Sequence, residues 1–167
     1  MAQMRSDEVT PVQVAVIGGG NAGADACAVA AEVGRRLAQA GAVVVCGGLG
    51  GVMDAAARGA RSAGGDVIGI LPGDDPGAAN EYVSHVVATG AGEARNLAVV
   101  ASARSVIAVG GEWGTLAEIA FARRLDRPVV ALQTWRVSGA GEMADAPGIE
   151  MAETAEEAVE RALRPSR

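Results

Sequence analysis

The chain has 167 residues, half of them apolar but only 2% aromatic, and a formal net charge of −6. This length supports one well-buried core, and a core poor in aromatic residues must be built from Ala, Val, Ile and Leu, which suits helices packed on a parallel sheet. The basic residues are all arginine and form no basic run, which disfavours nucleic acid as a partner, and the lack of lysine excludes side-chain Schiff-base chemistry and covalent pyridoxal phosphate.

Metal, membrane and secreted classes are also disfavoured. Two cysteines and one histidine are too few and too scattered for a metal site, so we predict no metal and no cofactor. The sequence contains no signal-peptide core and no run of transmembrane length, and we expect a cytoplasmic protein without a membrane partner. Residues 1–10 are polar and lack a pattern, which predicts a flexible tail before a single domain over residues 11–165.

The predicted elements alternate between apolar, β-branched strands and amphipathic helices, with glycine-rich loops between several of them. In chain order we predict a strand over Val12–Ile17, a helix from Asp25 to Gly41, a strand over Ala42–Cys46, a helix over Val52–Ala63, a strand over Val67–Leu71, a loop over Pro72–Asn80, a weaker strand over Tyr82–Ala88, a helix from Glu93 to about Ala103, a strand over Ser105–Val109, a helix from Thr115 to near Asp126, a strand over Pro128–Leu132, an irregular segment over Gln133–Gly148 and a helix over Thr154–Leu163. This order predicts an α/β fold with a Rossmann-like doubly wound parallel sheet.

Glycine-rich loops follow three of these strands at their carboxyl ends. In a doubly wound sheet those ends share one edge, where backbone N–H groups and helix N-termini hold anions such as phosphate. The first loop fits G-x-G-x-x-G, but an acidic residue is missing about twenty positions later, which disfavours a full NAD site and leaves phosphate contact and a plain tight turn as alternatives. We predict a phosphate or nucleotide site from Gly18, Gly19, Gly20, Asn21, Gly47, Gly48, Gly110, Gly111, Gly114 and Thr115, with the Trp113 indole as a flat wall for a nucleobase or pterin.

Arg95 begins a helix that is apolar nearly all round. Leu97 and Val100 point to one side of the helical projection, whereas Ala98 and Val99 lie on the side of Arg95. We expect a second subunit to cover that side, which predicts a homo-oligomer, either a dimer or a tetramer. An arginine beside a covered surface is suited to a bidentate contact with an anion, and a structural salt bridge is the alternative.

Glu118 also has two interpretations. The sequence Thr115-Leu116-Ala117-Glu118 has capping-box spacing, so the carboxylate could reach back to the start of its own helix. Alternatively, it performs chemistry next to the glycine-rich loop. Spacing alone does not separate the two.

Four motifs in order resemble the LOG-type proteins, long labelled possible lysine decarboxylases. They are G-G-L-G-G-V-M-D-A-A-A-R-G-A at 47–60, G-I-L-P-G-D-D at 69–75, A-R-N at 94–96 and G-G-E-W-G-T-L-A-E at 110–118. The family contains cytokinin riboside 5′-monophosphate phosphoribohydrolases, and the subgroup that the chain most resembles includes molybdenum cofactor carrier proteins. The resemblance implies that Arg95 and Glu118 correspond to the catalytic pair of the hydrolases.

The resemblance leads to two hypotheses from different classes. The leading hypothesis is metal-independent hydrolysis of the N-glycosidic bond of a nucleoside 5′-monophosphate, which gives free base and ribose 5-phosphate. The second is a carrier that binds molybdenum cofactor or another phosphorylated pterin or nucleotide without turnover; a nucleotide sensor is a weaker variant. Gly110 and Glu112 stand where the hydrolases have proline and glycine, and a carboxylate in a phosphate loop favours the second hypothesis.

Overall fold

The computed structural model describes residues 10–141 and 146–165, and almost all of the tail predicted over residues 1–10 lies outside these ranges. Strands and helices alternate along the described chain, as the apolar pattern predicts. Their bounds are β1 (Gln13–Gly18), α1 (Ala24–Gln39), β2 (Val43–Cys46), α2 (Val52–Ser62), β3 (Val67–Leu71), β4 (His85–Ala88), α3 (Arg95–Ala101), β5 (Ser105–Val109), α4 (Trp113–Arg124), β6 (Val129–Leu132), β7 (Ile149–Ala152) and α5 (Ala155–Ala162).

The strands form one seven-stranded sheet in the order β4-β3-β2-β1-β5-β6-β7. Every neighbouring pair is parallel. The chain builds outward from β1 to one edge, returns to β5 on the other side of β1, and builds outward again. The predicted Rossmann-like, doubly wound sheet in a single domain is therefore confirmed, and its direction of winding changes between β1 and β5. Ligands of such sheets bind in the crevice outside the carboxyl ends at this point.

Two apolar clusters cover the two faces of the sheet. One combines strand residues with α1, α2 and α5, and the other combines strand residues with α3 and α4. Every residue of β5 and β6 is buried. Burial on both faces explains why these strands read as continuous Val, Ile and Ala runs rather than as an alternating pattern.

Helices α1 and α2 contact each other through their backbones. A Cβ at Gly34 would overlap the carbonyl of Ala56, and a Cβ at Gly59 would overlap the carbonyl of Ala31. Each helix thus supplies a glycine where the other helix brings its backbone closest. Any side chain at either glycine would force the two helices apart.

The structure corrects two features of the predicted elements. β7 was not predicted, because four residues with only Ile149 and Ala152 buried carry too short a pattern. The sequence pattern predicts that a second subunit covers the Arg95 side of α3, because that side is apolar and would otherwise be exposed. This premise is wrong, since Val99 on that side is completely buried within the chain, whereas Leu97 on the other side is 43% exposed. The expected homo-oligomer therefore stays a prediction without support from α3.

Candidate functional site

A cavity of about 370 Å³ opens at the carboxyl edge of the sheet, where β1 and β5 diverge. Residues from three predicted glycine-rich loops meet there, together with the start of α3 and the first turns of α4. The lining residues are Val16, Ile17, Gly18, Gly19, Gly20, Gly47, Leu49, Met53, Pro72, Gly92, Glu93, Arg95, Asn96, Glu112, Gly114, Thr115 and Glu118.

The loop between β1 and α1 forms one wall, through Gly18, Gly19 and Gly20. A Cβ at Gly18 would lie 2.6 Å from Cγ2 of Val52 and would overlap the carbonyl of Val109, so a side chain at this position has no room. Asn21, which was predicted to bind phosphate, is exposed and does not line the cavity. This loop therefore presents backbone rather than side chains to a ligand.

The loop after β2 contributes through Gly47 but not through Gly48. A Cβ at Gly47 would meet the guanidinium of Arg95 and the sulfur of Met53, so glycine is needed for the arginine to lie across the loop. Gly48 has a φ of +73° and faces Leu71 and Gly69 of β3 instead. The sequence pattern therefore placed both glycines correctly in a loop but did not separate their roles.

The junction between β5 and α4 differs from its prediction. The helix begins at Trp113, two residues before the predicted start, and its N-cap residue is Glu112. Thr115 is therefore the third helical residue, where its Oγ1 accepts a hydrogen bond of 3.4 Å from the Glu112 N–H. The Glu112 side chain faces the Thr115 N–H in return, which completes a loose capping box. Glu118 consequently has no capping role, and that alternative is excluded.

Glu118 lies in the second turn of α4 and is only 9% exposed. No hydrogen-bond partner of its side chain is present among the described residues, although it lines the cavity. Burial raises the pKa of its carboxyl from 4.5 to about 7; the charge of Arg95 opposes this rise, and the charge of Glu93 adds to it. Near neutral pH the group therefore exists in both protonation states.

Arg95 begins α3 and reaches across the carboxyl ends of two strands. Its Nη1 donates to the carbonyls of Gly47 at 2.7 Å and Ile70 at 2.8 Å, while its Nε is buried without a partner. Burial lowers the pKa of the guanidinium, and the Glu118 charge opposes that change. Within residues 10–141 the two side chains interact electrostatically but form no direct ion pair. Arg95 thus anchors strand ends as well as lining the cavity.

Two tryptophans lie next to the cavity at the start of α4. Trp113 is 76% exposed, and its ring centre is 5.1 Å from that of Trp135, with the planes tilted by 34°. The Trp135 indole donates to the carbonyl of Glu112 at 3.2 Å and lies over Gly111, where a Cβ would be 2.6 Å from its nitrogen. Gly110, Gly111 and Trp113 are therefore close to the cavity but do not line it.

Sequence reasoning missed several lining residues. Glu93 and Asn96 flank Arg95 in the chain, Leu49 lies inside the second glycine-rich loop, and Pro72 follows directly after β3. Their signal was positional, because each lies just beyond the carboxyl end of a strand or next to a motif residue. Trp135 gave no such signal, since its segment was predicted only as irregular.

The charged lining is unusual for an anion site. Arg95 shares the cavity lining with three glutamates, Glu93, Glu112 and Glu118. Within the described ranges, the acidic, histidine and cysteine side chains form no group of three or more that could hold a metal ion. None of the described helices is long and apolar enough to span a membrane.

Because most of the charged residues in the lining are acidic, a phosphate in this cavity would rely on backbone N–H groups and helix N-termini, with Arg95 as the cation of the cavity.

Comparisons with known proteins agree with this architecture. An uncharacterized protein of Archaeoglobus fulgidus is 41% identical over 122 residues, which cover 73% of this chain and 80% of that protein. The structure is similar to the molybdenum cofactor binding protein of Rippkaea orientalis, with a TM-score of 0.82, 30% identity and coverage of 92% of this chain and 96% of the other. It is also similar to the molybdenum cofactor carrier protein of Chlamydomonas reinhardtii, with a TM-score of 0.81, 32% identity and coverage of 91% and 96%.

The sequence model of the SLOG cluster4 family matches residues 11–161, which include all the elements described above except the last residue of α5. The match confirms the LOG-like resemblance of the four motifs. The chain belongs to the SLOG cluster4 family.

Proposed function

We propose that the protein binds and carries a phosphorylated pterin of the molybdenum cofactor type without converting it. The observation that carries this proposal is the exposed indole of Trp113, backed by Trp135 beside the cavity. A flat heterocycle gains stacking energy on such a surface. Two similar structures are those of proteins named for binding or carrying molybdenum cofactor, which supports the same ligand class.

The phosphate group of this ligand would bind at the glycine-rich loops. The N-cap residues of α1 and α2 are Gly23 and Gly51, so neither N-terminus is capped by a side chain. The Val52 N–H of α2 already donates to the carbonyl of Gly19 at 3.1 Å. The other first-turn N–H groups of the two helices, with those of the Gly18–Gly20 loop, are the donors that we propose for an anion. Arg95 adds a positive charge in the same cavity.

Binding can be tested by titrating molybdopterin and, in parallel, adenosine 5′-monophosphate while tryptophan fluorescence and thermal unfolding are recorded. We expect molybdopterin to quench the fluorescence and raise the melting temperature, with a smaller effect of the nucleotide. Trp113→Ala should weaken binding about tenfold, since stacking on an aromatic ring contributes about 1–3 kcal/mol. Leu125→Ala, which removes another exposed apolar side chain of the α4 region, is the matched control. Absence of quenching and of thermal stabilisation would contradict the proposal.

One observation favours hydrolysis as a second candidate function. Glu118 is buried, lacks a hydrogen-bond partner among the described residues and faces the same cavity as Arg95. In hydrolysis of a nucleoside monophosphate, water adds to C1′ of the ribose while the bond from C1′ to the base nitrogen breaks, and the base leaves with a proton. An ionised Glu118 would orient the water or stabilise positive charge on the sugar.

Hydrolysis predicts a pH profile set by Glu118. Because the ionised form is required, the rate of base release should rise with pH through about 7, the pKa of this carboxyl. The assay is chromatographic detection of free base from a panel of nucleoside 5′-monophosphates, and Glu118→Gln should abolish it. If Glu118→Gln releases base as fast as the wild type, this role of Glu118 is excluded. If the wild type releases no base from any nucleotide of the panel, the result contradicts hydrolysis and agrees with the carrier proposal.

A further inference from the structure

The carboxylate of Glu112 lies in the crevice between the first glycine-rich loop and α4. Its Oε1 is 3.4 Å from the backbone nitrogen of Asn21, and its side chain also faces the N–H of Thr115. A Cβ at Gly19 would be 2.6 Å from the same Oε1, so the carboxylate rests directly on the loop backbone. This crevice is the place where a doubly wound sheet and the N-terminus of a helix offer N–H groups to an anion.

The hold on this carboxylate is weak. The distance from its Oε1 to the backbone nitrogen of Asn21 is 3.4 Å, beyond the usual upper limit of about 3.2 Å for N–H to oxygen. Glu112 is exposed, and no arginine pairs with it in the described part of the chain. Its backbone, in contrast, is held by the Trp135 indole. The side chain can therefore leave the crevice while the backbone stays in place.

One buried polar group in the same cavity independently indicates that a ligand belongs there. Glu118 is more than nine-tenths buried and lines the cavity without a hydrogen-bond partner among the described residues. Buried polar groups in folded proteins normally have partners, and a bound molecule with its own donors and acceptors would supply them.

We propose that Glu112 is an internal competitor for the phosphate group of the ligand, and that binding exchanges its carboxylate for phosphate at the N–H groups of Asn21 and Thr115. The inference rests on the proposed function only in that the ligand is phosphorylated. A carboxylate with a single negative charge gives way to a phosphate dianion that offers more acceptor oxygens. Ligands without phosphate leave Glu112 in place, so this residue selects for phosphorylated molecules.

The experiment compares binding of ribose 5-phosphate, inorganic phosphate and ribose to the wild-type protein and three variants by calorimetry. Glu112→Ser keeps a good N-cap side chain but clears the crevice. Glu112→Gln removes the charge and keeps the bulk. Glu93→Gln removes a negative charge from the same cavity wall but not from the crevice, and it is the charge-matched control. Thermal unfolding of each variant verifies that it is folded.

We expect Glu112→Ser to bind ribose 5-phosphate about tenfold or more tightly than the wild type, because it removes both the charge and the competitor. Glu112→Gln should gain less, and Glu93→Gln less again. Ribose should bind no better to any variant.

Four results would overturn the inference, and they are distinct from failure of the proposed function. If a folded Glu112→Ser variant binds ribose 5-phosphate no more tightly than the wild type, Glu112 only caps α4. If ribose gains as much as ribose 5-phosphate, the variant enlarged the cavity without opening an anion site. If Glu93→Gln matches Glu112→Gln, the effect is one of general charge. Molybdopterin that binds wild type and Glu112→Ser equally would uphold the proposed function and refute this inference.

Discussion

Replacement of Glu118 by glutamine should stabilise the protein at neutral and alkaline pH. The carboxyl is 9% exposed and lacks a hydrogen-bond partner among the described residues, so its ionised form is poorly solvated in the folded state. Glutamine has nearly the same shape and carries no charge. The variant therefore isolates the cost of burying this one ionisable group.

The size of the gain in stability follows from the difference between the pKa of Glu118 in the folded and in the unfolded protein. Burial raises the pKa from 4.5 to about 7 in the folded protein, so the folded state binds more protons than the unfolded state between these values. Stability must then fall as pH rises through this window. At 1.36 kcal/mol for each pKa unit, the loss reaches about 3 kcal/mol above pH 7. For a domain of this size that is about 6–12 °C in melting temperature.

The assay is urea unfolding of the wild type and Glu118→Gln at several pH values from 4 to 9. We expect equal stability near pH 4 and an advantage of up to about 3 kcal/mol for the variant at pH 8. Glu160→Gln removes the same charge from an exposed position on α5 that does not line the cavity and should show no such divergence. Parallel pH profiles for the wild type and Glu118→Gln would refute the reasoning.

Two further predictions concern the cavity wall and its arginine. Gly18→Ala should lower the free energy of unfolding by about 1–3 kcal/mol, as overpacking does, because the new Cβ would overlap the carbonyl of Val109. Gly114→Ala is the control, since a Cβ there enters open space and should cost less. Urea unfolding measures both variants, and equal losses of stability would contradict the prediction. Arg95→Ala should raise the pKa of Glu118 above about 7, since Arg95 opposes the effect of burial, and Arg95→Lys should raise it less because it keeps the charge. Carboxyl carbon NMR titration measures the pKa, and an unchanged or lower value in Arg95→Ala would show that the two groups are not coupled.

The fold could be predicted from the sequence because strand, glycine loop and helix repeat with clear boundaries. Buried parallel strands need unbroken apolar runs, such as Ser105–Val109, and these stand out against helical spacing. β7 could not be predicted, because its pairing with β6 rather than its own pattern makes it a strand. The exposed face of α3 was also misjudged, since a helix of seven residues gives too few positions to fix its orientation.

The site could be located from the sequence but not resolved in detail. The sequence spacing indicated a capping box at the start of α4 with Thr115 as the N-cap, whereas the structure has Glu112 as the N-cap. Local spacing does not choose between them. The choice depends on the N–H of Asn21 and the indole of Trp135, which are distant in sequence and meet Glu112 only in the fold. Tertiary contacts thus determined that Glu112 is the N-cap of α4 and that Glu118 lines the cavity without a capping role.

The glycine contact between α1 and α2 determines which side of the cavity can adapt. Gly34 and Gly59 fix the spacing of the two helices, and each helix follows a glycine-rich loop that lines the cavity, at Gly18–Gly20 and Gly47. We therefore expect the spacing of the two loops to change little. We also expect differences in ligand size to be absorbed on the opposite side, by the short α3 and the start of α4. Redesign for a larger ligand should accordingly change α3 and α4 and leave both helix-contact glycines untouched.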